Sequence, residues 1–273
     1  MNSPSFPPRS RKDPRRGLRL VAPLALAGSL LVAACGTSGS ASPAASVAPS
    51  SSPTIATALQ NDFVRVVDQV GPSVVVVETA SGLGSGVVYD SKGDIVTNNH
   101  VVAGSKTFTV KLSDGHSLPA TLVGADPASD IAVIHVTATN LQPATFADSS
   151  KVVVGDIVLA LGNPLGLQSS VTQGIVSAVG RSVPESSSVT LPDVIQTSAE
   201  INPGNSGGAL VDLAGNVVGI PTLGALDPQI GNTAAAGIGF AISSNTAVDV
   251  ANQLIANGRV TTAAPAAAPT VAP

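Results

Sequence analysis

The chain has 273 residues, of which 44% are hydrophobic, 2% aromatic and 11% charged, and it contains 27 glycines and 21 prolines. This content is too low in glycine and proline for a disordered polymer, so we expect a folded chain with a core of alanine and valine. One cysteine excludes a disulfide framework within the chain, and with three histidines no metal site is predicted. No phosphate-binding glycine loop is present, so no cofactor is predicted.

The first 35 residues have the charge and hydrophobicity order of an export signal. Six of the 13 basic residues lie in the first 19 positions, and an uncharged apolar run follows over residues 20–35. A run of this length is short for a membrane span. We therefore predict a signal peptide over residues 1–34 and a folded part outside the cytoplasm, while Arg15-Arg16 leaves twin-arginine export open beside the general route.

The end of the apolar run, Val32-Ala33-Ala34-Cys35, resembles a bacterial lipobox, in which small residues precede a cysteine that becomes diacylated. The resemblance implies that the mature protein is anchored to the bacterial cell membrane through Cys35. An uncleaved anchor helix and an ordinary signal with an incidental cysteine are the alternatives.

Composition divides the rest of the chain into three parts. Residues 35–55 are rich in serine, proline and alanine and are predicted to form a flexible tether, and residues 260–273 form a second such tail. Residues 56–259 are long enough for one large all-β unit or two small lobes. After residue 19 the chain holds seven basic and 16 acidic residues, so no nucleic-acid partner is predicted.

The central part consists of short apolar runs separated by glycine, Asp-Pro and asparagine, without helices between them. This spacing predicts antiparallel barrels or sandwiches rather than a parallel sheet. Helical spacing of apolar residues predicts one helix before the strands, over residues 57–70, and one after them, over residues 245–257 and ending at Gly258. The predicted strands cover residues 73–78, 86–89, 94–97, 107–112, 120–124, 131–136, 157–161, 174–179, 217–220 and 237–242.

The clearest chemical motif is Gly204-Asn205-Ser206-Gly207-Gly208. Glycines around a serine allow a tight turn that exposes the hydroxyl and directs amide N–H groups at one point, as an oxyanion intermediate requires. The motif alone also fits the elbow of α/β-hydrolases, or an ordinary turn between strands. All three histidines precede Ser206, which excludes the Ser, acid, His order of those hydrolases. The strand-rich pattern disfavours the subtilisin order, so the order His, Asp, Ser remains.

His100 is the candidate general base because it directly follows a predicted strand. His116 lies in a predicted hairpin turn and His135 alternates with buried residues, so both are expected to face solvent. Asp130 begins a predicted strand and is the candidate to orient the imidazole. Asp126 is the competing acid and is expected to close its own turn.

Five stretches across about 200 residues resemble, in the same order, the motifs of the HtrA/Deg family of trypsin-like serine proteases. The resemblance implies an all-β fold of two perpendicular six-stranded antiparallel β-barrels, with short terminal helices and the catalytic groups in the cleft between the barrels. The stretches are IVTNNHVV (95–102), GADPASDIAVI (124–134), LGNPLG (161–166), QTSAEINPGNSGGAL (196–210) and GIGFAI (237–242).

The resemblance also implies roles for individual residues. His100 is expected to be the general base, Asp130 its orienting carboxylate and Ser206 the nucleophile, with the N–H groups of Gly204 and Ser206 as the oxyanion hole. Residues 237–242 are similar to the strand that pairs with the substrate backbone. The positions that match substrate contacts are Ile201, Ile238, Gly239 and Phe240, with Ile201 and Ile238 lining the primary specificity pocket.

Glu200 lies six positions before Ser206, where trypsin-like enzymes place the residue at the floor of the primary pocket. A carboxylate there selects lysine or arginine. The apolar pocket usual in the HtrA/Deg family, or an outward-turned Glu200, predicts a preference for valine, alanine or isoleucine instead. Both specificities remain open.

The function implied by the resemblance is a serine endopeptidase that cleaves unfolded or damaged envelope proteins. A homotrimer built through the N-terminal helix and Phe63 is implied as well. A holdase that binds unfolded chains on a protease scaffold is the alternative function. Three departures from the family are a tail of 15 residues after Gly258, too short for a PDZ domain, Ser198 in place of the usual aspartate, and Glu200 in place of the usual small residue.

Three segments rich in glycine, serine and proline are expected to form long connections that frame the active site. By resemblance, such connections switch between disordered and ordered states. They cover residues 163–170, 181–190 and 222–236.

Overall fold

The computed structural model describes residues 54–80, 82–105, 107–162, 170–185, 189–202, 204–227 and 233–261. These residues lie within one compact unit, Ser51–Pro273. The predicted signal peptide, Cys35, nearly all of the predicted tether and most of the predicted tail lie outside the described residues.

The described residues form twelve β-strands and three α-helices, with short 3-10 helices at Gly71–Ser73 and Ser149–Lys151. The helices are α1 (Ile55–Val70), α2 (Asn99–Val102) and α3 (Ser244–Asn257). The strands are β1 (Val74–Thr79), β2 (Gly82–Val88), β3 (Asp94–Asn98), β4 (Phe108–Lys111), β5 (Ser117–Asp126), β6 (Ile131–Val136), β7 (Ile157–Gly162), β8 (Ser170–Pro184), β9 (Thr190–Thr197), β10 (Ala209–Val211), β11 (Val217–Asp227) and β12 (Thr233–Ser243).

The strands close into two six-stranded antiparallel barrels, which confirms the predicted fold class. The first has the order β1-β2-β3-β6-β5-β4 and the second the order β10-β11-β12-β9-β8-β7. When the strands are counted separately in each half of the chain, both barrels have the same cyclic order. The two halves therefore repeat one topology.

Several strands are buried on both faces, which explains why their sequences are continuously apolar. All of residues 74–77, four valines in β1, are buried. Val75 and Val77 pack in a cluster built by the first barrel, whereas Val74 joins a second cluster that also contains Leu161 of the second barrel and Leu254 of α3. Because successive residues of a strand face opposite sides, β1 contributes to both clusters.

The two predicted terminal helices are confirmed, each within two residues of its predicted start. Helix α1 begins where the Thr54 hydroxyl accepts a hydrogen bond from the Thr57 N–H at 3.3 Å, and α3 ends at Gly258 with φ 68°. Phe63 of α1 packs against the core of its own chain. No helix in the described ranges has the length and apolar character that crossing a membrane requires.

The structure adds two strands that the sequence patterns did not predict, and it lengthens others. Strand β9 contains Pro192 and Asp193, residues that usually interrupt strands, and β10 has only three residues. The expectation of long connections over residues 181–190 and 222–236 is wrong for their described parts. Extended hairpins occupy them because β8 and β9, like β11 and β12, stay paired through register shifts. Residues 163–169, 186–188 and 228–232 lie outside the described part.

Candidate active site

His100 and Asp130 are brought together where the first barrel opens toward the second. The short helix α2 follows β3 directly and carries His100, whose N–H donates to Asp130 Oδ1 at 2.9 Å while Nδ1 lies 2.8 Å from Oδ2. The Asp130 side chain is fully buried, and its backbone has φ 54°, a left-handed conformation that aspartate tolerates. Its main-chain carbonyl accepts hydrogen bonds from Asn99 N–H and the Asn98 side-chain amide, both at 3.0 Å. These contacts fix the carboxylate.

Ser206 lies on the turn between β9 and β10, in the second barrel. Gly204 and Gly207 on either side of it have φ 109° and 80°, values that favour glycine. The Ser206 hydroxyl donates to the carbonyl oxygen of Thr222 on β11 at 3.0 Å. The Thr222 hydroxyl donates in turn to Asp130 Oδ2 at 2.6 Å. Ser206 and Asp130 are therefore linked through one residue.

Ser85 on β2 connects the first barrel to the turn that carries Ser206. Its N–H donates to the Ser206 carbonyl at 2.9 Å and its hydroxyl to the Gly204 carbonyl at 2.5 Å. Within the part of the chain that the structure describes, the N–H groups of Gly204 and Ser206 donate to no protein group, whereas the N–H groups of Gly207 and Gly208 do. An oxyanion needs two unoccupied donors of this kind.

The residues expected to contact substrate lie in two environments, since Ile201 and Phe240 are buried whereas Ile238 and Glu200 are exposed. Ile201 is buried beside Gly239, where any side chain would collide with it. Ile238 is 38% exposed, and Phe240 is almost fully buried. The side chain of Glu200 is exposed, and its carbonyl accepts hydrogen bonds from the Thr172 hydroxyl and the Asn205 amide.

The strand pairing corrects the expectation that residues 237–242 pair with the substrate backbone. Residues 239–242 of β12 pair with β11 on one side and with β9 on the other, so their main-chain groups are already used. On its other edge, β11 pairs with β10 only over residues 217–219. Within the described residues, the edge of residues 222–224 opposite β12 therefore carries no strand.

A cavity of about 660 Å³ opens beside His100. Its lining includes Glu185, at the end of β8, a charged residue that the sequence patterns did not identify as a site residue. Its carboxylate Oε1 lies 3.8 Å from His100 Nδ1. No local signal identifies Glu185, because it stands in a serine-rich run that resembles a solvent loop. The lining residues are His100, Val183, Pro184, Glu185, Thr222, Leu223, Gly224 and Phe240.

Two carboxylates raise the pKa of His100 above its usual value of 6.5. Burial is the largest single effect and opposes protonation, but the hydrogen bond and charge of Asp130, together with the charge of Glu185, outweigh it. The pKa of Glu185 is also raised, first by burial and then by the negative charge of Asp130. Proton binding by His100 and by Glu185 therefore depends on the charges of the other groups among His100, Asp130 and Glu185.

His100, Asp130 and Glu185 are, within the described ranges, the one group of three ligating side chains whose ligand atoms all lie within 4.8 Å. The two Asp130 oxygens already accept three hydrogen bonds, from His100 N–H, His100 Nδ1 and Thr222. A metal ion between His100 and Asp130 would replace the proton on His100 Nδ1 that is hydrogen-bonded to Asp130. The donors present therefore fit a hydrogen-bonded base better than a metal centre.

The other two histidines lie outside this arrangement. His116 is in the turn between β4 and β5, where its exposed imidazole contacts Asp114 at 3.0 Å, as its predicted turn position implies. His135 is only partly exposed, because its Nδ1 bonds Asp94 at 2.9 Å across β3 and β6. Asp126 closes its own turn by accepting from Ser129, as expected.

The sequence matches the model of the trypsin-like peptidase domain over residues 84–220. A probable periplasmic serine protease do/HhoA-like from Haemophilus influenzae is 50% identical over 181 residues, which are 66% of this chain and 38% of the relative. The periplasmic serine endoprotease DegP of Escherichia coli is 49% identical over 180 residues, 65% of this chain and 37% of the relative. The chain thus spans less than half the length of these curated relatives.

Solved structures give the same assignment. The HtrA-type protease AlgW with tripeptide matches with a TM-score of 0.67 and 42% identity, covering 72% of this chain and 65% of that one. The serine endoprotease from Yersinia pestis matches with a TM-score of 0.63 and 40% identity, covering 72% and 68%. The chain therefore belongs to the trypsin-like peptidase domain family, within its HtrA-type branch.

Proposed function

We propose that this protein is a serine endopeptidase with His100 as general base, Asp130 as its orienting carboxylate and Ser206 as nucleophile. The observation that carries the proposal is the pair of hydrogen bonds from His100 to the buried Asp130, at 2.9 and 2.8 Å, together with the link from Asp130 through Thr222 to Ser206. A holdase has no need of such an arrangement.

The proposed reaction begins with a rotation of the Ser206 side chain. Its hydroxyl leaves the Thr222 carbonyl and donates to Nε2 of His100, which takes the proton as the oxygen attacks the substrate carbonyl carbon. The N–H groups of Gly204 and Ser206 bind the resulting oxyanion. The imidazolium, stabilised by Asp130, gives the proton to the leaving amine. A water molecule then hydrolyses the acyl ester by the same steps and restores Ser206.

The proposed substrates are unfolded or damaged proteins. An extended segment can add to the edge of residues 222–224, and it needs free main-chain N–H and C=O groups to do so. Such groups are available in unfolded chains, whereas folded domains have already paired theirs.

An apolar primary pocket is proposed, with a preference for valine, alanine or isoleucine at the cleaved position. The buried Ile201 beside Gly239 supports a shallow apolar pocket. The exposed Glu200 keeps its hydration and gains little from a substrate cation.

The proposed location is the outer face of the cell membrane, with export by the predicted signal and a lipid anchor on Cys35. The names of the relatives from Haemophilus influenzae and Escherichia coli, both called periplasmic, support export. For the assembly we propose a homotrimer through α1, which exposes Ile55 and Val64 at 90% and 53%. Phe63 contributes less than expected, since it packs on its own chain. Light scattering of the purified protein tests this assembly.

Labelling with a fluorophosphonate probe and cleavage of denatured casein test the proposed activity. We expect wild type to react with the probe and to cleave casein, and Ser206→Ala to do neither, with a loss of roughly 10⁶-fold in kcat. Circular dichroism of Ser206→Ala controls for folding. Casein cleavage that survives in purified Ser206→Ala contradicts the assignment, and binding of casein without cleavage by wild type supports the holdase alternative.

A further inference from the structure

The mechanism above leaves the charge of Glu185 without a role. The side chain is 19% exposed and lies within the cavity beside His100. Among the described residues no lysine or arginine pairs with it; its one ion contact is His100. A largely buried carboxylate without a permanent cationic partner is costly unless something else supplies the cation.

The walls around Glu185 suit a long side chain with a charged end. Val183, Pro184, Leu223 and Phe240 give the cavity apolar surface, and Glu185 is the one carboxylate among its lining residues. Lysine and arginine bury their methylene groups against apolar surface and place the charged group at a polar one. The cavity therefore matches the chemistry of a basic side chain.

The geometry of an extended substrate decides which of its residues reaches this cavity. A strand added to residues 222–224 directs successive side chains to opposite faces. The side chain at the cleaved position enters the primary pocket near Ile201 and Gly239, so the preceding side chain points the other way, toward His100 and Leu223.

We propose that Glu185 forms a cation-binding subsite that takes a lysine or arginine side chain from the substrate residue immediately preceding the cleaved position. This inference rests on the proposed endopeptidase function. A metal ion is a weaker occupant because it would displace the His100 Nδ1 proton and disturb three hydrogen bonds to Asp130. A substrate ammonium or guanidinium leaves all of them in place and offsets the repulsion between Glu185 and Asp130.

The test compares fluorogenic tetrapeptides that carry valine at the cleaved position and differ only in the preceding residue. That residue is lysine, its uncharged analogue norleucine, or glutamate. At pH 8 and low salt we expect wild type to prefer lysine over norleucine by roughly five- to tenfold in kcat/KM, the size of a partly shielded ion pair, and to disfavour glutamate. Glu185→Gln should bring the lysine-to-norleucine ratio to about one, while added salt should lower the wild-type ratio.

Glu78→Gln is the matched control, since it removes the same charge from β1 and Glu78 does not line the cavity. The ratio in this variant should equal that of wild type. A lysine preference that persists in Glu185→Gln, or equal cleavage of the lysine and norleucine peptides by wild type, overturns the proposal.

A binding measurement separates this proposal from the proposed catalysis. Fluorescence anisotropy of the same labelled peptides on Ser206→Ala should show tighter binding of the lysine peptide, and Ser206→Ala/Glu185→Gln should not discriminate. If wild type is inactive but this discrimination is present, the endopeptidase function fails and the cation subsite stands. If wild type cleaves both peptides equally and Ser206→Ala binds them equally, the subsite fails and the function stands.

Discussion

In the described part of the chain, the Ser206 hydroxyl donates to the main-chain carbonyl of Thr222 at 3.0 Å and not to His100. The hydroxyl of the same threonine donates to Asp130 at 2.6 Å. Thr222 thus contacts both the proposed nucleophile and the carboxylate behind the proposed base. In the proposed mechanism the Ser206 hydroxyl must leave this carbonyl before it can donate to His100.

Thr222→Val should weaken catalysis without removing it. Valine keeps the shape of threonine and the main-chain carbonyl but loses the hydroxyl that donates to Asp130. A hydrogen bond to a charged group contributes about 1.5–3 kcal/mol, so we expect kcat/KM on a valine-ending peptide to fall roughly 10- to 100-fold. Thr121→Val, on an exposed position of β5, is the control and should be neutral. Unchanged activity in Thr222→Val contradicts the role given to this hydroxyl.

The pH dependence of kcat/KM should reflect the raised pKa of His100. The imidazole accepts the Ser206 proton only when it is neutral, so activity should be lost below the pKa and rise through it, with a midpoint above the usual 6.5. Glu185 stabilises the imidazolium, and Glu185→Gln should therefore move the midpoint to lower pH. A rate profile on the norleucine peptide measures both. A midpoint that is the same in the two proteins contradicts the electrostatic contact.

Gly207→Ala should destabilise the fold and abolish activity. At φ 80° a Cβ on residue 207 would collide with the Ser85 carbonyl and lie 2.5 Å from the Thr97 hydroxyl. We expect a loss of about 3 kcal/mol, or roughly 6–12 °C in Tm. Gly104→Ala is the control, because its φ is 75° but nothing lies within 4 Å of the added atom, so only about 1 kcal/mol is expected. Equal losses in the two variants in thermal unfolding contradict the steric argument.

Glu200→Gln should leave the choice of the cleaved residue unchanged. Because the Glu200 side chain is exposed, wild type should cleave peptides ending in valine faster than those ending in arginine, and the variant should keep that order. Paired fluorogenic peptides measure the ratio. If wild type prefers arginine and Glu200→Gln reverses the preference, the apolar-pocket proposal is wrong.

Cys35→Ser should separate location from catalysis. Two acyl chains hold a protein stably at a membrane, whereas one chain gives only marginal binding. We expect wild type to incorporate a clickable fatty acid and to remain with the membrane fraction, and the variant to incorporate none and be released or mislocalised. Catalysis should be unaffected, because the predicted tether separates Cys35 from the barrels. An unlabelled wild type contradicts the lipobox assignment.

The order of the candidate catalytic residues and the pattern of apolar residues were sufficient to predict much of the fold. The absence of a histidine after Ser206 excluded the order of the α/β-hydrolases, and the strand-rich pattern disfavoured the subtilisin order, which left the order His, Asp, Ser. Continuous valine runs such as residues 74–77 indicated strands, and the structure shows that burial on both faces is the reason. Helix α3 was predicted through its glycine stop, since Gly258 adopts the left-handed conformation that ends helices.

Tertiary structure alone decided which strand edge is free and which side chains meet. Residues 237–242 resemble a substrate-binding strand in sequence, but pairing on both sides uses the main-chain groups of residues 239–242. Strand pairing between distant segments is not encoded in the local sequence pattern. Strand β9 escaped prediction because long-range pairing overrides the local preferences of Pro192 and Asp193. Glu185 is 85 positions from His100 in sequence, yet its Oε1 lies 3.8 Å from His100 Nδ1. Glu185 follows a strand of the second barrel and His100 a strand of the first, so the contact exists only in the folded chain.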